Sequence, residues 1–141
     1  MEFQSNIPIY LQIMDDIKQQ IVSGKLKPGD KLASVRDLAM QYGVNPNTMQ
    51  KALSELEWEK LLYTMRTAGR YVTEDVALIG VLREQLAQER IIGLLNELQQ
   101  LYNGKSLVED GDFALEVLQH INDKVQQYKK EDGNLYAIYG T

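Results

Sequence analysis

Cysteine is absent from the 141 residues and histidine occurs once, as His120. No disulfide framework, thiolate metal site, cysteine nucleophile or multi-histidine metal centre can be assembled from such a composition. Long apolar runs are missing too: nothing approaches the roughly 18 residues of a membrane span. The N-terminus, MEFQSNIPIY, lacks the basic and then apolar stretches of a secretory signal. A cytoplasmic protein without membrane contact is expected. No combination of nucleophile, base and oxyanion donor stands out, and no phosphate-binding loop, so no catalytic residue, metal or cofactor is expected and the chain does not read as an enzyme.

What remains is an ordinary globular composition, 44% hydrophobic and 25% charged, in a length that suits one or two small domains. The net charge of −5 argues at first against nucleic acid. The distribution reverses that impression: residues 25–70 carry eight Lys and Arg against five Asp and Glu, whereas residues 76–141 carry six against ten. Phosphate binding depends on the field at the docking face rather than on the total, so a basic reading head can coexist with an acidic tail.

Helical periodicity begins early. Tyr10, Ile13, Ile17 and Ile21 recur at three or four residues, with Pro8 suited to the first turn and Gly24 to the stop. A Pro-Gly turn at residues 28 and 29 follows. Ser34-Val-Arg-Asp37 has the form of a capping box with Asp in the usual Glu place, which predicts a short second helix burying Val35, Leu38 and Ala39 and ending at Gly43. One residue later, Asn45 is a strong N-cap and Pro46 a first helical residue, so a third helix starts at once. Met49, Leu53 and Leu56 mark its inner face, leaving Asn47, Thr48, Gln50, Lys51 and Ser54 on the others. Two short β-forming runs, residues 61–66 and 70–73, then flank Thr67-Ala-Gly69 and predict a hairpin.

Two helices joined by a tight turn, the second with a polar outer face, form a helix-turn-helix, and the hairpin makes it a winged helix. A helix fits the major groove, where each base pair shows a distinct donor and acceptor pattern. The fold class expected is mainly α with a small β-hairpin: a winged helix-turn-helix domain over residues 1–75, then a two-helix dimerisation tail over residues 76–141. Because folds host many functions, a dimeric adaptor using its winged helix to bind protein stays open beside DNA binding.

Several ordered segments, Pro8-Ile-Tyr10, residues 21–39, residues 42–57 and Gly69-Arg-Tyr-Val72, together resemble the DNA-binding domain of GntR-type bacterial transcription regulators. The resemblance spans residues 7–73. It differs at Ala33, where the family usually has Pro, and at Lys60 and Thr67, where Gly is common. It implies a sequence-specific regulator, most often a repressor, that binds an inverted-repeat DNA operator as a homodimer. Contacts carried over by the resemblance are Ser34 and Arg36 on helix two, Asn45, Pro46, Asn47, Thr48, Gln50 and Lys51 at the start of helix three, and Arg66, Thr67, Gly69 and Arg70 in the wing. Gln50 stands where many relatives have arginine, and an amide favours adenine over guanine. Arg66 and Arg70 flank the wing tip and are expected to meet phosphate.

The tail reads as a helix from Val76 to about Tyr102, closed by Asn103-Gly104, and another from about Asp112 to Tyr128. Only 66 residues follow the reading head, too few for the ligand-binding domain of larger GntR-type proteins, and two apolar-striped helices resemble the YtrA-like branch, whose tail dimerises. Leu82, Leu86, Leu94 and Leu98, with Phe113, Val117, Ile121 and Val125, are the expected dimer residues. A small-molecule effector is left open. His120 reads as a surface or interface residue, Trp58 as packed against the tail helices, and Tyr136 and Tyr139 as cover for an apolar face or an effector site.

Overall fold

The computed structural model describes residues 1–101 and 111–132. Among these residues, five helices and one hairpin run in the order α1 (Ile9–Val22), α2 (Val35–Tyr42), α3 (Pro46–Trp58), β1 (Leu62–Met65), β2 (Gly69–Val72), α4 (Val76–Leu101) and α5 (Gly111–Asp132). The chain divides into two compact units, Met1–Ala87 and Gln88–Thr141.

In the first unit, α1 and α2 each pack against α3, and the hairpin closes the remaining side. Ile13, Ile17 and Ile21 of α1, Leu38 and Ala39 of α2, and Met49, Ala52, Leu53 and Leu56 of α3 form its centre with Leu62 and Val72 of the hairpin. The apolar spacing thus does what its period requires, bringing one stripe of each helix to a common core. Pro8 lies just ahead of the first turn rather than in it, and its carbonyl accepts from the N–H groups of Leu11 and Gln12.

Local chemistry sets the helix ends. Ser34 accepts from the Asp37 N–H at 3.1 Å and Asn45 from the Asn47 N–H at 2.8 Å, each satisfying an orphan donor at a helix start. α2 and α3 end in the same way. Val44 N–H bonds Ala39 O and Gly43 N–H bonds Met40 O; likewise Leu61 N–H bonds Leu56 O and Lys60 N–H bonds Glu57 O. This paired closure needs a left-handed residue, supplied by Gly43 at φ 69° and, less comfortably, by Lys60 at φ 68°.

The strands pair antiparallel with Leu62 opposite Val72 and Thr64 opposite Arg70. The segment before α2 runs alongside β2 through bonds between Gly29 and Val72, Asp30 and Val72, and Leu32 and Arg70. Asp75, not singled out from the sequence, caps α4 by accepting from Leu78 N–H at 3.0 Å. From there Ile79, Leu82 and Leu86 enter the core, and Arg83 Nη2 donates to the Val22 carbonyl at the end of α1. The opening turns of α4 therefore belong to the first unit, and Leu82 and Leu86, expected to face a partner chain, are only 5% and 8% exposed within this one.

In the second unit, the remainder of α4 and α5 leave Ile91, Ile92, Leu94, Leu118 and Ile121 exposed. His120 is exposed on α5. Expectations for the side chains of Leu98, Phe113 and Val125, for the Asn103-Gly104 helix end and for Tyr136 and Tyr139 lie outside the described residues. One expectation is corrected: Trp58, expected to be packed against the tail helices, is 84% exposed. It sits two residues past Leu56, about 200° around a helix whose inner face is Met49, Ala52, Leu53 and Leu56.

Candidate nucleic-acid interface

Three structural devices bring the expected contacts to the surface of the first unit. The first is the start of α2, where Ser34 and Arg36 are exposed. The Ser34 oxygen is engaged by the Asp37 N–H, but its own proton remains available to a phosphate.

The second is the start of α3. Met49, fully buried, anchors this helix from beneath, while Asn45, Pro46, Asn47, Gln50 and Lys51 are exposed and Thr48 half-buried. Gln50 Nε2 donates to Ser54 Oγ at 3.1 Å, one turn on. That bond uses one of the two amide protons, leaving the carbonyl oxygen and the other proton for the paired contact that an adenine edge accepts. Lys51 Nζ lies 4.2 Å from the centre of the Tyr10 ring of α1, which steadies its ammonium while leaving it at the surface.

The third is the hairpin. Arg66 and Thr67 are exposed in its turn, which Ala68 N–H closes by bonding Met65 O at 3.1 Å. Gly69 takes φ 111°, and a Cβ there would stand 3.3 Å from Lys31 Cε, so the turn has both a conformational and a steric reason for glycine. Arg70 behaves differently from Arg66. Its side chain is 17% exposed and its Nε donates to Glu57 Oε1 of α3 at 2.6 Å.

Ser34, Gly69 and Arg70 meet on one open groove of about 600 Å³, floored by Leu32 and Val35 and joined by Lys31. The α3 residues and Arg36 do not line it. Sequence reasoning missed two participants, Lys31 and Glu57. A signal for the second was present: in a strand, Arg70 shares a face with Val72, two residues on, and Val72 is core. Among the described residues no group of three or more acidic or histidine side chains is placed to hold a metal, and no described helix is long and apolar enough to cross a membrane.

Two helix starts, exposed amides and cations, and the hairpin turn thus lie at the surface of the first unit. Residues 9–72 match the model of the bacterial regulatory proteins of the gntR family. The uncharacterized HTH-type transcriptional regulator YhcF of Bacillus subtilis is 41% identical over 100 residues, covering 71% of this chain and 83% of that protein. The HTH-type transcriptional repressor YtrA of the same organism is 42% identical over 91 residues, 60% of this chain and 70% of its own. A GntR family transcriptional regulator from Listeria monocytogenes superimposes with a TM-score of 0.67 at 36% identity, covering 83% of this chain and 98% of that one. The chain belongs to the gntR family and is a sequence-specific DNA-binding transcriptional regulator with a winged helix-turn-helix fold.

Proposed function

We propose that the protein is a homodimeric repressor of the YtrA-like branch that occupies an inverted-repeat operator. The observation that carries the reading is the split on α3: Met49 and Leu53 are fully buried while Asn47, Gln50 and Lys51, on the same turns, are exposed beside an N-terminus free to meet the DNA backbone. Asn45, Pro46 and Thr48 belong to that helix start, and we assign Arg36, Ser34, Arg66, Thr67 and Gly69 to the same contact as exposed residues of α2's start and of the wing. The repressor sense is supported by likeness to YtrA, which carries that description.

The exposed apolar side chains of the second unit support dimerisation. Ile91 and Ile92 are 52% exposed, and Leu94, Leu118 and Ile121 between 41% and 47%, an apolar surface that a second copy would remove from water. Leu94, Val117 and Ile121 are the residues we assign to that contact, with Leu98, Phe113 and Val125 in it by their sequence spacing. Leu82 and Leu86 are left to the intrachain core. A two-fold dimer sets two α3 helices in successive major grooves about 34 Å apart.

The test is selection from a random DNA pool with purified protein. The expected product is an inverted repeat with half-site centres about one helical turn apart. A non-palindromic product would overturn the two-fold docking, and an unenriched pool would favour the adaptor reading, in which the winged helix binds protein.

A further inference from the structure

Glu57 stands near the end of α3, and a single carboxylate oxygen, Oε1, is bonded from both strands of the wing. Thr64 Oγ1 donates to it from β1 and Arg70 Nε from β2, the latter at 2.6 Å. Thr64 and Arg70 are direct cross-strand partners, so the carboxylate clamps the hairpin to the reading helix at one point. Burial alone would raise the Glu57 carboxyl, but the Thr64 hydroxyl and the Arg70 guanidinium outweigh it and hold the group below its ordinary value. Glu57 is therefore a carboxylate at neutral pH.

Arg70 also lines the groove that holds Ser34 and Lys31, where a free guanidinium would be a phosphate ligand. Tied to a carboxylate by a charge-assisted bond, it adds no net charge there, and a phosphate must displace an acceptor of equal charge to claim it. Arg66, exposed in the turn, forms no ion pair among the described residues.

We propose that Glu57 is a positioning residue that sets specificity: it clamps Arg70 away from the DNA backbone, so that Arg66 supplies the wing's phosphate contact and sequence-independent affinity is held down. The inference rests on the DNA-reading role above. It assigns opposite duties to two arginines that flank one turn, and it gives an acidic residue of the reading helix a reason to be there.

The experiment measures binding of the full chain to its selected operator and to a random-sequence duplex across a salt series. The proteins are the wild type, Glu57→Gln, Glu57→Asp, Arg70→Gln and the Glu57→Gln/Arg70→Gln double variant, each with its melting temperature. Each phosphate neutralised adds about 0.9 to the slope of log affinity against log salt. Glu57→Gln should steepen the slope by about that amount on random DNA and narrow the operator-to-random ratio. The double variant, neutral like the intact pair, should keep the wild-type slope, and Glu57→Asp should keep it too. A purely structural clamp would lower melting temperature and operator affinity without steepening the slope. The double variant flattening the slope by about one, or Glu57→Gln leaving it unchanged, would overturn the proposal while leaving DNA reading intact. Failure of the wild type to bind any duplex would overturn both.

Discussion

The hydroxyl of Tyr42, the last residue of α2, donates to Asp16 Oδ2 of α1 at 2.6 Å, and Gln20 Nε2 donates to both oxygens, at 3.2 Å and 3.0 Å. This triangle joins the supporting helix to the helix-turn-helix. Burial, and then the hydrogen bond to Asp16 and its charge, push the Tyr42 phenol far above its ordinary value. Tyr42→Phe should cost about 1–2 kcal/mol, because the lost bond goes to a charged group that still keeps Gln20. Since the folded value is raised, the contribution is complete below the ordinary value of 10.0 and is lost as pH rises beyond it. Urea unfolding of both proteins should show a constant gap from pH 7 to 9 that closes above pH 10; a gap widening with alkali would contradict the assignment.

Lys60 closes α3 at φ 68° with bonds matching those of Gly43 at the end of α2. A left-handed residue with a Cβ costs about 1–2 kcal/mol, partly offset because glycine loses more freedom on folding. Lys60→Gly should therefore raise stability by up to about 1 kcal/mol. Denaturant midpoints decide it, and a destabilised variant would show that the Lys60 side chain contributes more than its backbone costs.

Arg66 is exposed at the wing turn and unengaged by any described carboxylate. Arg66→Ala should flatten the salt dependence of DNA binding by about 0.9 and weaken all sequences alike. A changed sequence preference at constant affinity would instead make Arg66 a base reader.

Gln50 rests on Ser54 in the free protein, with an amide oxygen and one proton to spare. Gln50→Ala should relax preference at one A·T pair in each half-site, a loss of about 1–3 kcal/mol of discrimination, and Gln50→Arg should shift it toward G·C. Binding to a set of single-base operator variants gives the profile; one unchanged by either substitution places Gln50 off the bases.

Ile121 is 41% exposed on α5 in a single copy. If a second chain covers it, Ile121→Asp buries an unpartnered charge, costs several kcal/mol (on the order of the penalty for breaking a buried ion pair), and dissociates the dimer. Sedimentation at micromolar concentration should show a folded monomer, and a variant that stays dimeric would move the interface elsewhere.

Much of this molecule is decided within short windows of sequence. Ser34 and Asn45 cap their helices through N–H groups two or three residues away, Gly43 needs only its own φ, and Met49, Leu53 and Leu56 share a face because 3.6 residues make a turn. Such features depend on local geometry, so the helix-turn-helix and most of its polar surface were legible without coordinates. Tertiary structure decided the rest. Trp58 faces water because α3 spends its inner face elsewhere, Leu82 and Leu86 enter the core of the first unit on a stretch of α4 held by the Asp75 cap and by Arg83, and Arg66 and Arg70 part company because only one has Glu57 within reach. Each of these outcomes depends on which residue, distant in sequence, occupies the adjacent space. The identity of that neighbour is set by how elements dock, and a cation's charge is available to DNA only where docking leaves it without a carboxylate.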